Sequence, residues 1–305
     1  MTLSQGNLAI DRLCRLAGVS RAGYYRFWLE SAPRRHDTAL RDVIQRLALA
    51  NGRRRGYRYM TAQLRRDEGI IANHKCVLRL MREDNLLCLH KRPFVPVTTA
   101  SRHDWTIVPN LARDLGLSGP DQLWVADITY VRLQEEFAYL AVVLDAFTRL
   151  VIGWAMEDHL RAELAIQALT MALEQRRPAW GSLIHHSDRG VQYACGDYSK
   201  ILADHGIAAS MSRVGNPYDN AKAESFMKTL KAEEVDGRLY RDRREAEQCI
   251  GTFIEEVYNM QRLHSALGYR PPAEFDALHH AGSLPGGGAA ARNERLRAAP
   301  APAQA

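Results

Sequence analysis

From residue 121 the chain changes texture. DQLWVADITYVRL, EFAYLAVVLDAFT and RLVIGWAM are runs of β-branched, aliphatic and aromatic residues divided only by short polar turns. Such runs favour extended strands, and their close spacing predicts an antiparallel meander. ELAIQALTMALEQRR then returns apolar residues at helical spacing. SLIHHSD reads as a buried strand, CGDYSKILADHG as a helix closed by Gly206, and IAASMS as a last strand. The predicted order, β-β-β-α-β-α-β-α, requires an α/β fold: a mixed five-stranded sheet flanked by helices. With 46% of its 305 residues apolar, the chain can build one sizeable core and one or two small satellites.

Beyond the last strand, DNAKAESFMKTLKAEE is predicted helical, with Asp219 or Asn220 near its start. A longer helix from about 243 to 262 follows, and YRPPAEF marks a stop at Pro271 and Pro272. The stretch 281–305 is Gly, Ala, Pro and Arg with almost no apolar bulk, and is predicted to be disordered.

Residues 1 to 103 carry 20 Lys and Arg against 8 Asp and Glu, and the remainder carries 21 against 27, so the net charge of +6 hides a basic front and an acidic body. A basic front predicts a polyanionic partner. Residues 4 to 30 outline one helix-turn-helix. NGRRRGYRYMTAQLRRDEGIIANHKCVLRLMREDNLL outlines another, with Met60 and Leu64 on one apolar face, Val77, Leu80 and Met81 on the next, a turn at Gly69 and Asn73 as N-cap. The second helix of such a unit enters the major groove, and Lys75, Arg79 and Arg82 lie on or near its predicted outer face. His74, Cys76, Cys88 and His90 lack zinc-ligand spacing, and five scattered cysteines without a CxxC pair predict reduced thiols in a cytoplasm. No apolar run is long enough to span a membrane, and MTLSQGNLAIDRL lacks a signal-peptide layout, so no membrane association is expected.

Three carboxylates stand in unusual places. Asp127 interrupts the first apolar strand, Asp188 ends the strand SLIHHSD, and Glu224 lies one turn into a helix. A carboxylate inside an apolar strand is costly unless it is paired or binds a metal. If the first and fourth strands are neighbours, Asp127 and Asp188 meet, and a helix crossing the sheet edge can deliver Glu224. Three hard oxygen donors with room for water suit Mg2+ or Mn2+, and a pair of such ions can drive in-line displacement at phosphorus. Taken singly, each acid reads equally well as a salt-bridged or solvated group. His185 and His186 alternate on a strand, so one is expected to point inward as a satisfied core histidine.

LWVADITYV, HHSDRGVQYA, MSRVGNPYDNAKAESFMKTLK and YNMQRLHSALGYRPPAEF together resemble the successive signatures of the OrfB transposases of IS-three-type insertion sequences, in the retroviral-integrase-like DDE superfamily. The resemblance runs from about residue 10 to 276, and the thirty-five residues between Asp188 and Glu224 match the spacing of that subgroup. It implies an RNase H-like integrase core, with Asp127, Asp188 and Glu224 as catalytic metal ligands for two Mg2+ or Mn2+ ions. It implies DNA contacts at Lys228 and Lys231, on the Glu224 face of the helix, and a site shaped by Arg189, Gln192, Tyr193, Asn216, Tyr218, Asp219 and Asn220. His264 and Tyr269 match the pattern without a defined role, packing being at least as good a reading as chemistry. The run Arg53 to Arg55 departs from the commonest form of the upstream helix-turn-helix.

The expected organisation is a helix-turn-helix-like segment (1–31), a basic helical DNA-binding region (32–92), a connector (93–120), the catalytic core with C-terminal helices (121–280) and the tail (281–305). The expected activity is metal-dependent cleavage and strand transfer at insertion-sequence ends. Expected partners are terminal inverted repeats, target DNA, further copies of the chain on DNA, and an upstream-frame protein or frameshift fusion. The alternatives are a catalytically silent DNA-binding repressor and a plain RNase H-like nuclease.

Overall fold

The computed structural model describes residues 10–28, 37–88, 108–113, 115–213 and 220–281. The three apolar runs form β1 (Leu123–Arg132), β2 (Phe137–Asp145) and β3 (Val151–Glu157), paired antiparallel as a meander. β4 (Ile184–Ser187) lies parallel to β1, and β5 (Ala208–Met211) lies parallel to β4, giving the order β3-β2-β1-β4-β5. The mixed five-stranded sheet is therefore the one the pattern requires. Crossovers between parallel strands need a dozen or more residues, which the helical stretches before β4 and β5 supply.

The central strands are apolar on both sides because both faces are covered. Trp124, Ala126 and Val143 face α6 (Ala162–Arg176), the short α7 (Val191–Ala194) and α8 (Gly196–Asp204). Val125, Val142 and Leu144 face α9 (Ala221–Leu230) and α10 (Arg243–Thr252). Each fully buried Leu or Phe in these layers contributes about 1.5–3 kcal/mol of transfer free energy. α6 approaches very closely: a Cβ on Gly153 would stand 2.1 Å from the Ala168 carbonyl oxygen, so β3 needs glycine there. The double cover also corrects the expectation for the histidine pair, since His185 and His186 are both buried. His185 meets the Tyr198 hydroxyl at 3.0 Å, and His186 meets the Ser210 and Ser212 hydroxyls at 2.8 and 3.0 Å.

At the front, α1 (Ile10–Leu16) and α2 (Arg21–Trp28) form a first helix pair. α3 (Thr38–Ala50), α4 (Tyr57–Asp67) and α5 (His74–Glu83) surround a separate small core that includes Ile44, Met60, Leu64, Val77, Leu80 and Met81. The turn between α4 and α5 uses Gly69 at φ +66°, and the Asn73 side chain accepts from the Lys75 N–H at 2.8 Å as the N-cap.

The C-terminal region departs from its expected outline. The long helix is α-helical only to Thr252 and continues as π-helical turns from Phe253 to Asn259. There the Asn259 side chain accepts from the Val151 N–H at 3.0 Å and donates to the Val151 carbonyl at 2.9 Å, closing part of the edge strand β3. Pro272 starts α11 (Pro272–Ala281), since proline at a first helical position gives up an N–H that has no intrahelical partner. The expected disorder of the last residues falls, from 282 on, outside the described residues.

Candidate active site

β1 and β4 run in parallel register with Val125 beside His186, so two residues further along Asp127 comes beside Asp188 on the same face. Asp127 is half-buried and accepts from the N–H of Ile128 at 2.9 Å. Asp188 leaves the sheet at the end of β4, where its Oδ1 accepts from the Gly190 N–H at 2.9 Å. That turn is tight: a Cβ on Gly190 would stand 3.0 Å from Asp188 Oδ1 and 2.8 Å from Gln192 Oε1. α9 brings the third acid. Ala223, Phe226, Met227 and Leu230 bury one face of it, while the buried side chain of Asn220 donates from Nδ2 to the Ala126 carbonyl at 3.0 Å. The helix thus begins on the residue before Asp127 and carries Glu224 one turn in.

The electrostatics report the same grouping. Burial, and next the Asp188 carboxylate, push the Asp127 carboxyl up to about 7, with Glu224 adding to the rise while the Ile128 N–H and Lys231 oppose it. Asp127 and Glu224 form no ion pair within 4 Å among the described residues. A carboxylate raised by burial and then by its acidic neighbours is a group that a metal cation would stabilise, and three hard oxygen donors fit Mg2+ or Mn2+. The ligand oxygens of the trio do not all lie within 4.8 Å of one another; Glu157, Asp158 and His159 at the end of β3 do, and no second feature there points to an ion. Tyr193, named with the residues expected to shape the site, is buried close to both aspartates, and its hydroxyl has no hydrogen-bond partner among the described residues.

Residues 118–217 match the integrase core domain family, residues 205–272 match a second integrase core domain family, and residues 35–94 match an HTH-like domain family. The chain is 41% identical to the insertion element IS600 uncharacterized 31 kDa protein of Shigella sonnei, over 88% of this chain and 98% of that protein. It is 36% identical to the transposase InsF for insertion sequence IS3A of Escherichia coli strain K12, over 89% of this chain and 95% of that one. The chain belongs to the IS3-type transposase family.

The transposase is accordingly a DDE-type polynucleotidyl transferase of DNA transposition with an integrase-type α/β core. Among solved structures it resembles the simian T-cell lymphotropic virus intasome in complex with a PP2A regulatory subunit, with 17% identity and TM-score 0.43 over 74% of this chain and 76% of that chain. It also resembles the catalytic core domain of BIV integrase, with 19% identity and TM-score 0.39 over 53% of this chain and 97% of that chain.

Around the acids, the transposase holds its expected DNA-contacting residues in different states. Lys228 is exposed. Lys231 falls where α9 gives way to π-helical turns (231–235); it is half-buried, with Nζ 4.4 Å from the centre of the Tyr130 ring. Burial lowers its ammonium pKa against the pull of Asp236 and Asp127. On α5, Lys75 and Arg82 are exposed, whereas Arg79 is held by Asp37 at 2.8 Å and Glu83 at 2.9 Å. Arg189 donates from Nε to the Ser212 carbonyl at 2.7 Å, and Gln192 donates to the Leu160 carbonyl at 3.1 Å, tying the Asp188 loop to its surroundings. Asn216, Tyr218 and Asp219 lie outside the described residues, as does His90. His264 packs edge-on to Tyr258 with ring centres 4.9 Å apart; burial first, then Arg262, Arg149 and Arg55, lower it to about 3. Packing is the role that environment supports.

Proposed function

We propose that Asp127, Asp188 and Glu224 are the catalytic metal ligands of this transposase, and that together they hold two Mg2+ or Mn2+ ions against a phosphodiester at an insertion-sequence end. The observation that carries the reading is the parallel β1–β4 register, which sets Asp127 beside Asp188 under the helix that bears Glu224. Two ions there would activate the attacking oxygen and stabilise the leaving one in an in-line displacement. The protein's part is positional: Asn220 fixes the start of α9 against β1, and the Gly190 N–H orients the Asp188 carboxylate. Lys228 and Lys231 meet phosphates next to the reacting bond. The α4–α5 unit reads the terminal inverted repeats, with Lys75 and Arg82 free to reach DNA and Arg79 exchanging Asp37 or Glu83 for phosphate on binding.

Cleavage frees a 3′-hydroxyl, which then attacks a phosphodiester of target DNA. Joining two element ends calls for at least two copies of the chain on DNA, working alone or with an upstream-frame protein or as a frameshift fusion, in the cytoplasm and on the nucleoid when DNA-bound. The test is strand transfer on a labelled duplex carrying the element's terminal repeat with Mg2+ or Mn2+. Glu224→Gln and Asp188→Asn should lose joined products by at least about a hundredfold, on the scale of several kcal/mol of transition-state stabilisation, while still shifting the duplex. Joining at the wild-type rate by either variant would remove the assignment. Binding without products even in the wild type would point to the silent repressor or to a missing upstream partner.

A further inference from the structure

On the other side of α9 from the packed core lies a cavity of about 410 Å³, roofed by α4 of the helical region and floored by α9 and the 262–269 loop. Its lining includes Arg58, Arg149, Lys222 and Arg262, with the hydroxyl residues Ser225 and Thr229 between them. It continues past Arg58 and Tyr269, which line both spaces, into a second cavity of about 760 Å³ that adds Arg65, Arg66 and Arg270. Some of these charges are already answered: Arg262 is paired with Glu233, and Arg66 and Arg270 share Glu274. Arg58, Arg65, Arg149 and Lys222 form no ion pair within 4 Å among the described residues.

Arg149 and Lys222 are the telling pair. Both are half-buried cations lining the same cavity. The Asp145 carboxylate, fully buried at the end of β2, accepts from the N–H groups of Asp121, Phe147 and Thr148 and attracts both cations from a distance, forming no ion pair within 4 Å with either. Two like charges partly withdrawn from water that share one carboxylate at a distance, with no acid in contact, are an unfavourable arrangement in the free protein, and an anion between them relieves it. Tyr269, at the junction of the two cavities, is held at φ +58°, a conformation unusual for a residue with a side chain. A row of cations interrupted by an aromatic ring suits a polyanionic strand better than a single small anion.

We propose that this groove is a second DNA-binding surface, in which a backbone phosphate of the strand passing the carboxylate site seats between Arg149 and Lys222 and the strand continues past Tyr269 to Arg58 and Arg65. Helix geometry sets how far the strand has to turn round α9. Counting about 100° per residue around α9, Ser225, Thr229 and Lys222 stand roughly 100–160° from Glu224, across its unburied side. The groove thus joins the scissile bond to the helix-turn-helix by one track. The identity of the ligand rests on the DNA-processing reading, but the pocket itself does not depend on the metal ligands.

The full chain in EDTA is titrated with a fluorescein-labelled terminal-repeat duplex at several KCl concentrations, which separates binding from chemistry. Loss of the two cations in Arg149→Gln/Lys222→Gln is expected to weaken binding roughly tenfold and to lower the salt slope by one to two. Ser225→Glu, a change at an exposed position that keeps the fold, should weaken binding in the same direction, and Lys222→Arg should restore it. Unchanged affinity and slope in both the double variant and Ser225→Glu would overturn the proposal. So would pyrophosphate binding, measured by calorimetry, that is lost in the variants while DNA affinity stays the same, because the pocket then serves a small anion. Strand transfer by Glu224→Gln is read separately, so the carboxylate reading and the groove can fail independently.

Discussion

Asp127 concentrates the chemistry of this chain in one group. Its carboxyl, pushed to about 7, keeps its proton over a range where the unfolded chain has already released it. Between the ordinary value near 4 and about 7 the native state therefore binds more protons than the unfolded state, and the ion-free protein loses stability as pH rises through that window. Melting in EDTA across that range should show the decline, Asp127→Asn should flatten it, and divalent cations should restore stability above about pH 7; a decline unchanged in Asp127→Asn would place its source elsewhere. Asn220 offers a second residue-scale test. Replacing it with alanine removes the donor from the Ala126 carbonyl and should cost about 1–3 kcal/mol in urea unfolding. If it positions α9, strand transfer falls further than stability accounts for, with DNA binding retained.

Among the elements, α6 and β3 meet closely at Gly153. Gly153→Ala puts a methyl group within 2.1 Å of the Ala168 carbonyl position, so helix or strand has to move. A destabilisation of about 1–3 kcal/mol or more is expected from calorimetry, and an unchanged melting temperature would mean that the packing is looser than described. The same pairing shows what periodicity could and could not reveal. Runs of β-branched residues and the spacing of ELAIQALTMALEQRR are local signals and are legible in order. Which face each residue meets is not local. His185 and His186 alternate on β4, yet both are buried because helices cover the sheet twice. In α9, the i, i+4, i+7 reading puts Lys231 on the Glu224 face, and its ammonium does act on Asp127; what the period does not show is that Lys231 is half-buried against Tyr130 while Lys228 is exposed.

At the scale of the whole molecule, the helical region is fastened to the core by charges. Arg55, the last arginine of the unusual Arg53 to Arg55 run, is buried against Glu233, and Glu233 also receives Arg262 from the C-terminal loop. Arg55 stacks over Tyr59, and Arg66 reaches Glu274 on α11. Removing Arg55 leaves Glu233 to Arg262 alone and takes away a charge-assisted contact between the two regions, so Arg55→Ala should cost about 1–3 kcal/mol, and Arg55→Met, which keeps the stem, somewhat less. Limited proteolysis of Arg55→Ala should cut between α3 and the core faster than in the wild type; equal protection would show that the two regions are fastened elsewhere.

The sequence by itself determined the strand meander and its alternating continuation and the basic helix pairs with their Gly69 turn and Asn73 cap, while the three acids stood out as a set through the family resemblance of their motifs. The strands and helix pairs follow from propensity, period or spacing along a short stretch. Tertiary structure decided the rest: the neutralisation of Arg79 by Asp37, the Arg55–Glu233–Arg262 network, the Asn220 tie to β1, and the meeting of Arg149 with Lys222. These are contacts between residues far apart in the chain, and their energies depend on burial and on which opposite charge lies within a few ångströms. Neither quantity exists until the sheet, the helices and the loops have come together.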